Sequence, residues 1–272
     1  MQRQRVFRRV FMRKIFYPTL SLILFLGLWI AIAWYVRQTP FLFPFPWKVF
    51  ARVVANFSLF SYHALATYLE MMCGMLIASV LSFVTAYGML KARVVKAMLE
   101  PYFVVMQCLP MFTLAPLCIL WFGWSFIAII VPTALMISLP LTMSVYRGLQ
   151  STPQQHLDFF RVHGASERIL FYKVKIPFAL PHIFAGLRIS AAVSGVGAIA
   201  GEWAGAQRGL GVLLQMSKRN FDIEAVFGAI ASLLFLNLSL YFLVVFLEKW
   251  LRKDQHVVKK LDRATALQLD AL

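Results

Sequence analysis

Apolar runs long enough to cross a bilayer, separated by short clusters of Lys and Arg, constrain this chain more than any other feature. The first run covers 15–36 and follows Arg3, Arg5, Arg8, Arg9, Arg13 and Lys14. At about 1.5 Å of helix rise per residue it spans a hydrocarbon core roughly 30 Å thick. Further runs follow at 62–90, 98–120, 126–146, 182–200 and 223–247. Of the 272 residues, 61% are hydrophobic and only 14% charged, and the mean hydropathy is +0.74. A soluble globule with so few charged groups could not cover its own core, so lipid must be the solvent for the excess. The apolar stretch after the basic N-terminus is as long as a full span, and no small-x-small cleavage site follows it, so it reads as a retained helix.

The net charge of +16 raises nucleic-acid binding as an alternative. Its placement argues against that partner, because the basic residues sit between apolar runs, where they orient membrane helices. Six spans with both termini in the cytosol put 21 of the 27 Lys and Arg on the cytosolic side. The expected organisation is therefore a basic cytoplasmic N-terminus over 1–14, a single transmembrane domain over 15–250 and a cytoplasmic tail over 251–272. Membrane lipid is the implied surrounding.

Proline marks the irregular places. The prolines of Thr39-Pro40-Phe41-Leu42-Phe43-Pro44-Phe45-Pro46-Trp47 forbid helix continuation, and the aromatics suit an interface, so a loop should lead into a short helix over 47–56. Pro101, Pro110 and Pro116 interrupt the third run, and Pro132 and Pro140 lie in the fourth. Backbone groups freed by proline need neighbouring helices or a water-filled cavity, which places these two spans inside a bundle. Pro177 and Pro181 introduce the fifth run, which is rich in Gly, Ala and Ser, as close helix packing requires. A glycine-rich loop over 201–222 leads to the sixth run, and the chain is charged from Glu248 onward.

The segment 147–177 is the longest polar stretch between spans. It can be a plain connector, but its order suggests more. Thr152-Pro153 reads as an N-cap with proline at the first helical position. Gly164 ends that helix, and a second amphipathic piece over 166–176 leads to Pro177. Two short helices joined at a glycine suit a groove on a soluble partner.

Here a resemblance enters. Asp158-Phe159-Phe160, three residues, Gly164, nine residues and Val174-Lys175-Ile176-Pro177 resembles the permease signature of bacterial ABC importers, Glu-Ala-Ala with Gly and Ile-x-Leu-Pro at the same spacing. Asp replaces Glu and Phe-Phe replaces Ala-Ala. Gln107-Cys108-Leu109-Pro110, Leu114-Ala115-Pro116-Leu117 and Trp121-Phe122-Gly123 are similar to permeases for nitrate, taurine, alkanesulfonates and thiamine precursors. Gly201-Glu202-Trp203-Ala204-Gly205-Ala206 and Arg208-Gly209-Leu210-Gly211 look closest to the hydroxymethylpyrimidine branch. The resemblance covers 44–230. It implies an all-α, six-span type I importer permease that forms a homodimer, with two ATP-binding cassette subunits and a periplasmic or lipid-anchored substrate-binding protein as partners. It further implies ATP and Mg on the ATPase subunit, none of them bound by this chain, and residence in the bacterial inner membrane. The residues it assigns to coupling with the ATPase are His156, Asp158, Phe159, Phe160, Arg161, His163, Gly164, Ala165, Ser166 and Pro177.

Other chemistry finds little support. No G-x-x-x-x-G-K-[ST] run is present to cradle phosphate. Gly195-x-Gly197-x-x-Ala200 superficially matches a dinucleotide fingerprint, but it lies in a span without the strand that motif needs. Cys73, Cys108 and Cys118 form no CxxC pair and read as packing residues, and the histidines lack a second ligand at helical spacing. An ion-coupled secondary transporter would call for an inverted repeat, and a membrane-embedded enzyme for a cluster of acid, base or metal-binding groups. Neither is visible. Polar groups at membrane depth are costly and so are candidates for the pathway. Gln107 and Pro110 line the proline-broken backbone, and Glu202 with Trp203 sits at the outer end of the fifth span as a gate, a binding-protein contact or an interfacial anchor. Glu70 serves equally well in the pathway or bonded to a neighbouring helix.

Overall fold

The computed structural model describes residues 2–36 and 42–252, with side chains from 16 onward except those of Gln107 and Arg252. The side chains of the basic residues 3–14, residues 37–41 of the expected interfacial loop and residues 253–272 of the expected tail lie outside that description. The described chain is all α-helical. Its helices are α1 Gln2–Tyr35, α2 Pro46–Ala55, α3 Phe57–Lys91, α4 Arg93–Cys108, α5 Met111–Phe122, α6 Phe126–Gln150, α7 Gln154–Val162, α8 Glu167–Ile169, α9 Ile176–Gly205, α10 Leu210–Arg219 and α11 Ile223–Arg252.

Five stretches are long and apolar enough to cross a membrane, over Phe16–Tyr35, Phe57–Lys91, Phe126–Gln150, Glu167–Gly205 and Ile223–Leu251. The helices Arg93–Met106 and Met111–Phe122, whose axes meet at 105°, are apolar enough only when taken together as one broken stretch. Pro110 stands at the break, as the N-cap of α5 with φ of −66° and ψ of 120°. Proline without an N–H cannot continue α4, and the residue before it is driven into extended backbone, which Leu109 adopts.

Three expectations are corrected. The fifth span starts far earlier than 182, because the chain is helical without interruption from Glu167 to Gly205. Pro177 and Pro181 therefore lie inside the helix. The chain accommodates Pro177 by a π-helical stretch, Leu170–Lys175, immediately before it. An α-helix would aim the carbonyl four residues back at the proline ring, and shifting to wider pairing relieves that clash. The glycine-rich loop expected over 201–222 is mostly helix, since α9 runs to Gly205 and α10 begins at Leu210. Glu248, read as the start of a charged tail, lies within α11, where it is 7% exposed and pairs with Arg188 at 3.3 Å.

Packing divides the chain into two units, Met1–Ser61 with Leu213–Ala231 and Tyr62–Val212 with Ser232–Leu272. In the first, Trp29 packs against Phe43 and Phe227, its indole N–H donates to the Pro44 carbonyl at 3.0 Å, and Arg52 pairs with Asp222.

In the second unit, α9 is the central helix. On one side Ile137, Leu141, Val145 and Leu149 of α6, spaced four apart on one ridge, are buried with Ala179 and Ile183 of α9 and Ala78, Ala86 and Met89 of α3. On the other, Phe184, Ala191 and Ala198 of α9 pack with Met71 of α3 and Leu240 and Val244 of α11. Small residues permit this approach. A Cβ at Gly197 would stand 2.7 Å from the Thr133 Cα, so only glycine lets α6 and α9 touch there. Large apolar side chains elsewhere, including Val80 and Val84 of α3 and Phe235, Phe242 and Phe246 of α11, are exposed as lipid-facing surfaces require.

Candidate functional site

Two clusters carry the chemistry of the second unit. The first is the polar segment after α6. Helix α7 starts at Gln154 with Pro153 as its N-cap, one residue later than Thr152-Pro153 suggests. Thr152 caps nothing. Its side chain is buried and its hydroxyl finds no hydrogen-bond partner among the described residues.

Helix α7 has two unlike faces. Leu157 is buried against Leu170 and Val174, with Phe160 and Ala165 packed on the same cluster. Phe159 and Val162 face outward, 46% and 84% exposed. Arg161 lies between Asp158 at 3.6 Å and Glu167 at 3.4 Å, all three well exposed.

Gly164 ends the helix by conformation. Its φ is +74°, its N–H donates to the Arg161 carbonyl at 2.9 Å, and the Ala165 N–H reaches back to the Phe160 carbonyl at 3.0 Å. These two bonds form the Schellman motif, which satisfies carbonyls left open at the helix end and favours glycine in the left-handed position. A Cβ there would meet nothing within 4 Å, so the demand is on backbone angle and not on space. His163 caps this end with its ring on Phe159 and Nδ1 2.7 Å from the Phe159 carbonyl. Ser166 then caps the next turn through the Ile169 N–H at 3.4 Å, and the His156 ring lies edge-on to Phe178 at 5.1 Å. The coupling residues named from the sequence therefore form one continuous patch, with Pro177 beyond it in α9.

The second cluster closes the other end of α9. Glu202, in the last turn, is 2% exposed. Its carboxylate accepts the Thr67 hydroxyl at 2.6 Å and the Gly211 N–H at 2.5 Å, and the Val212 N–H adds a third donor. Gly211 and Val212 open α10, so Glu202 caps that helix where its unpaired N–H groups and positive dipole end lie. Thr67 in turn accepts the Leu210 N–H at 2.7 Å, and His63 Nδ1 accepts the Gly209 N–H at 3.0 Å. Gly209 has φ of +136° and passes directly over the Glu202 carboxylate, where any side chain would collide. The indole N–H of Trp203 donates to the Gly211 carbonyl at 3.0 Å, and its ring lies 5.4 Å from Phe112 of α5.

Glu202 and Trp203 are thus brought together, and the interfacial-anchor reading does not fit a carboxylate buried under three donors. Pro110 is exposed at the α4–α5 break. Gln107 lies in the last turn of α4, and its side chain falls outside the described set. Sequence reasoning missed Thr67 and Arg208 as partners of this cluster and gave His63 no role, because each acts across more than a hundred residues of chain. Glu70, one turn after Thr67, adjoins Glu202 and Arg208. Among the described residues no group of three His, Cys, Asp or Glu could hold a metal ion.

Comparison with known proteins follows the same lines. A family model described as the inner membrane component of binding-protein-dependent transport systems matches residues 70–253. A probable ABC transporter permease protein of Haemophilus influenzae is 34% identical over 225 residues, 83% of this chain and 92% of that one. A formylaminopyrimidine transport permease protein of Halalkalibacterium halodurans is 34% identical over 214 residues, covering 78% and 85%. A taurine transport system permease protein of Escherichia coli is 28% identical over 169 residues, 62% of each.

Proposed function

The chain belongs to the family of binding-protein-dependent transport system inner membrane components, and on that premise we propose that this ABC importer permease carries a small aminopyrimidine, a thiamine precursor, driven by ATP hydrolysis on a separate subunit. The similarity over most of both chains to the formylaminopyrimidine permease carries the substrate reading. Taurine or an alkanesulfonate is the second reading, favoured by the taurine relative.

The patch from His156 to Ser166 is the surface offered to the ATPase. Its inner face, through Leu157, is keyed to α9 by way of Leu170 and Val174, while Phe159 and Val162 are left for a partner's groove. A push on α7 passes into an unbroken helix whose last turn carries Glu202. Rigid-body rocking of α9 and its neighbours then alternates access between the two sides. In this reading 1–14, 147–177 and 251–272 all face the cytosol, as the distribution of Lys and Arg supports. The permease works as a homodimer in the inner membrane, a binding protein delivers the cargo from outside, and ATP with Mg is held by the two ATPase subunits.

Reconstitution tests this. The permease, its ATPase and its binding protein in proteoliposomes should import a radiolabelled 4-aminopyrimidine only when ATP is inside, and Gly164→Val should keep membrane insertion while hydrolysis no longer drives uptake. Uptake without the ATPase, or a Gly164→Val complex that imports normally, would overturn the reading.

A further inference from the structure

A cavity of about 370 Å³ opens beside the Glu202 cluster, bounded among others by Tyr62, Glu70, Trp124, Ser125, Gln207 and Arg208. Its volume lies at the small end of the roughly 300–1,000 Å³ typical of ligand sites, which suits a single substituted ring. Glu70 is 2% exposed, and its Oε2 has no hydrogen-bond partner among the described residues. Its neighbour Glu202 is in the opposite condition, with three donors on its carboxylate. A buried carboxyl oxygen left without a donor is unfavourable unless something else supplies one. Glu70 also shares a side-chain hydrogen bond with Glu202 and lies near the Arg208 guanidinium, so its Oε2 is the one carboxyl oxygen there left over for a ligand.

We propose that this cavity is the permease's own recognition site for its cargo and that Glu70 reads an exocyclic amino group on a nitrogen heterocycle. The inference rests on the aminopyrimidine reading above. An amino group next to a ring nitrogen presents one donor and one acceptor on the same edge. Glu70 Oε2 accepts from the amino N–H, and Arg208, Gln207 or Ser125 donates to the ring nitrogen. Tyr62 and Trp124 are 56% and 78% exposed and supply aromatic faces on which the flat ring stacks. A sulfonate brings only acceptor oxygens and no donor, which leaves Glu70 Oε2 unpaired and works against that cargo in this cavity. A site that hydrogen-bonds one substituent rejects the analogue lacking it far more strongly than apolar pockets reject a lost methylene.

The test uses the permease–ATPase complex in lipid nanodiscs, without the binding protein. Equilibrium dialysis compares 4-amino-5-hydroxymethyl-2-methylpyrimidine with its 4-oxo counterpart. The wild type should bind the amine at least about tenfold more tightly, and Glu70→Gln should abolish that preference. Trp124→Ala, at an exposed position that leaves the helix core untouched, should weaken both compounds about fivefold or more and decides the matter if Glu70→Gln does not fold. A preference that survives Glu70→Gln, or unchanged binding in Trp124→Ala, overturns the site. Proteoliposome uptake of the amine with the binding protein present separates the two failures. Uptake by the wild type with no Glu70-dependent preference sinks the cavity alone, whereas no wild-type binding and no uptake sinks the cavity and the aminopyrimidine reading together.

Discussion

The two ends of α9 meet opposite demands. Around Gly164, hydrogen bonds close within six residues and the charges of Asp158, Arg161 and Glu167 stand in the open. Around Glu202, the bonds join residues 135, 143 and 146 positions apart, and the polar groups that make them are buried. One end is an open surface, in which each interaction is cheap to replace. The other is an internal joint fastening α10 to α3, in which each polar atom depends on its neighbours because water is excluded. In the proposed importer cycle the first end is the yielding contact where force would enter and the second the rigid one where it would be delivered.

If that contrast is real, the largest effect comes from Glu202→Leu. It strands the N–H groups of Gly211 and Val212 in a dry site, while the Thr67 hydroxyl falls back on the His63 carbonyl at 3.2 Å. Each orphaned donor costs about 1–3 kcal/mol. We expect a loss of at least about 2 kcal/mol by the same count, read as a drop in the midpoint of thermal aggregation in detergent and as poor recovery of monodisperse protein. Glu202→Gln retains an acceptor and should fall between Glu202→Leu and the native protein. A Glu202→Leu protein as stable as the native one would show that α10 is held by other means.

Gly164→Val probes the opposite end with a smaller energy and a larger functional consequence. The added Cβ has free space, so the penalty is the left-handed backbone alone, about 1–2 kcal/mol. Gly164→Asn should cost less, because Asn tolerates that conformation. Stability and coupling should therefore separate. Thermal midpoints should follow the order Gly, Asn, Val, and uptake per ATP hydrolysed should fall more steeply than the midpoints do. Parallel decline of both quantities would mean that the segment is simply structural.

The same contrast explains what could be read from the chain. Apolar runs and basic clusters place the spans, since burial in lipid acts on every residue of a run. The helix end at Gly164 was legible because a helix C-terminus is local chemistry, whereas the coupling role of Asp158 through Ser166 rested on the family resemblance. The boundaries failed where local rules met tertiary support. Proline usually starts a helix or breaks one, yet the π-helical turn before Pro177 carries the helix through. Glycine-rich 201–222 looked like a loop because glycine disfavours helix on its own, while the donors gathered on Glu202 hold α10 to the end of α9. Thr67 left no local signal at all, and Arg208 stood in the Arg208-Gly209-Leu210-Gly211 motif without any hint of its partner. A threonine in an apolar helix has many ordinary uses, and only the fold brings this one to 2.6 Å from a carboxylate on another span.

The smallest expected effect is at Arg161, and it is the sharpest check on the comparison. Its guanidinium lies 3.6 Å from Asp158 and 3.4 Å from Glu167, which looks like a staple between α7 and α8. Its side chain is 46% exposed and those of its partners 56% and 66%, so water and salt screen both attractions while the side chain gives up rotamer freedom to make them. Arg161→Ala should change the thermal midpoint by no more than the equivalent of about 0.5 kcal/mol, and 0.5 M salt should erase even that. The residue faces the proposed ATPase groove, however, so the same change should slow association of permease and ATPase at low ionic strength, measured by surface plasmon resonance on nanodiscs. A marked loss of stability would instead make this ion pair part of the frame, and the patch around Gly164 would then be as rigid a joint as the one around Glu202.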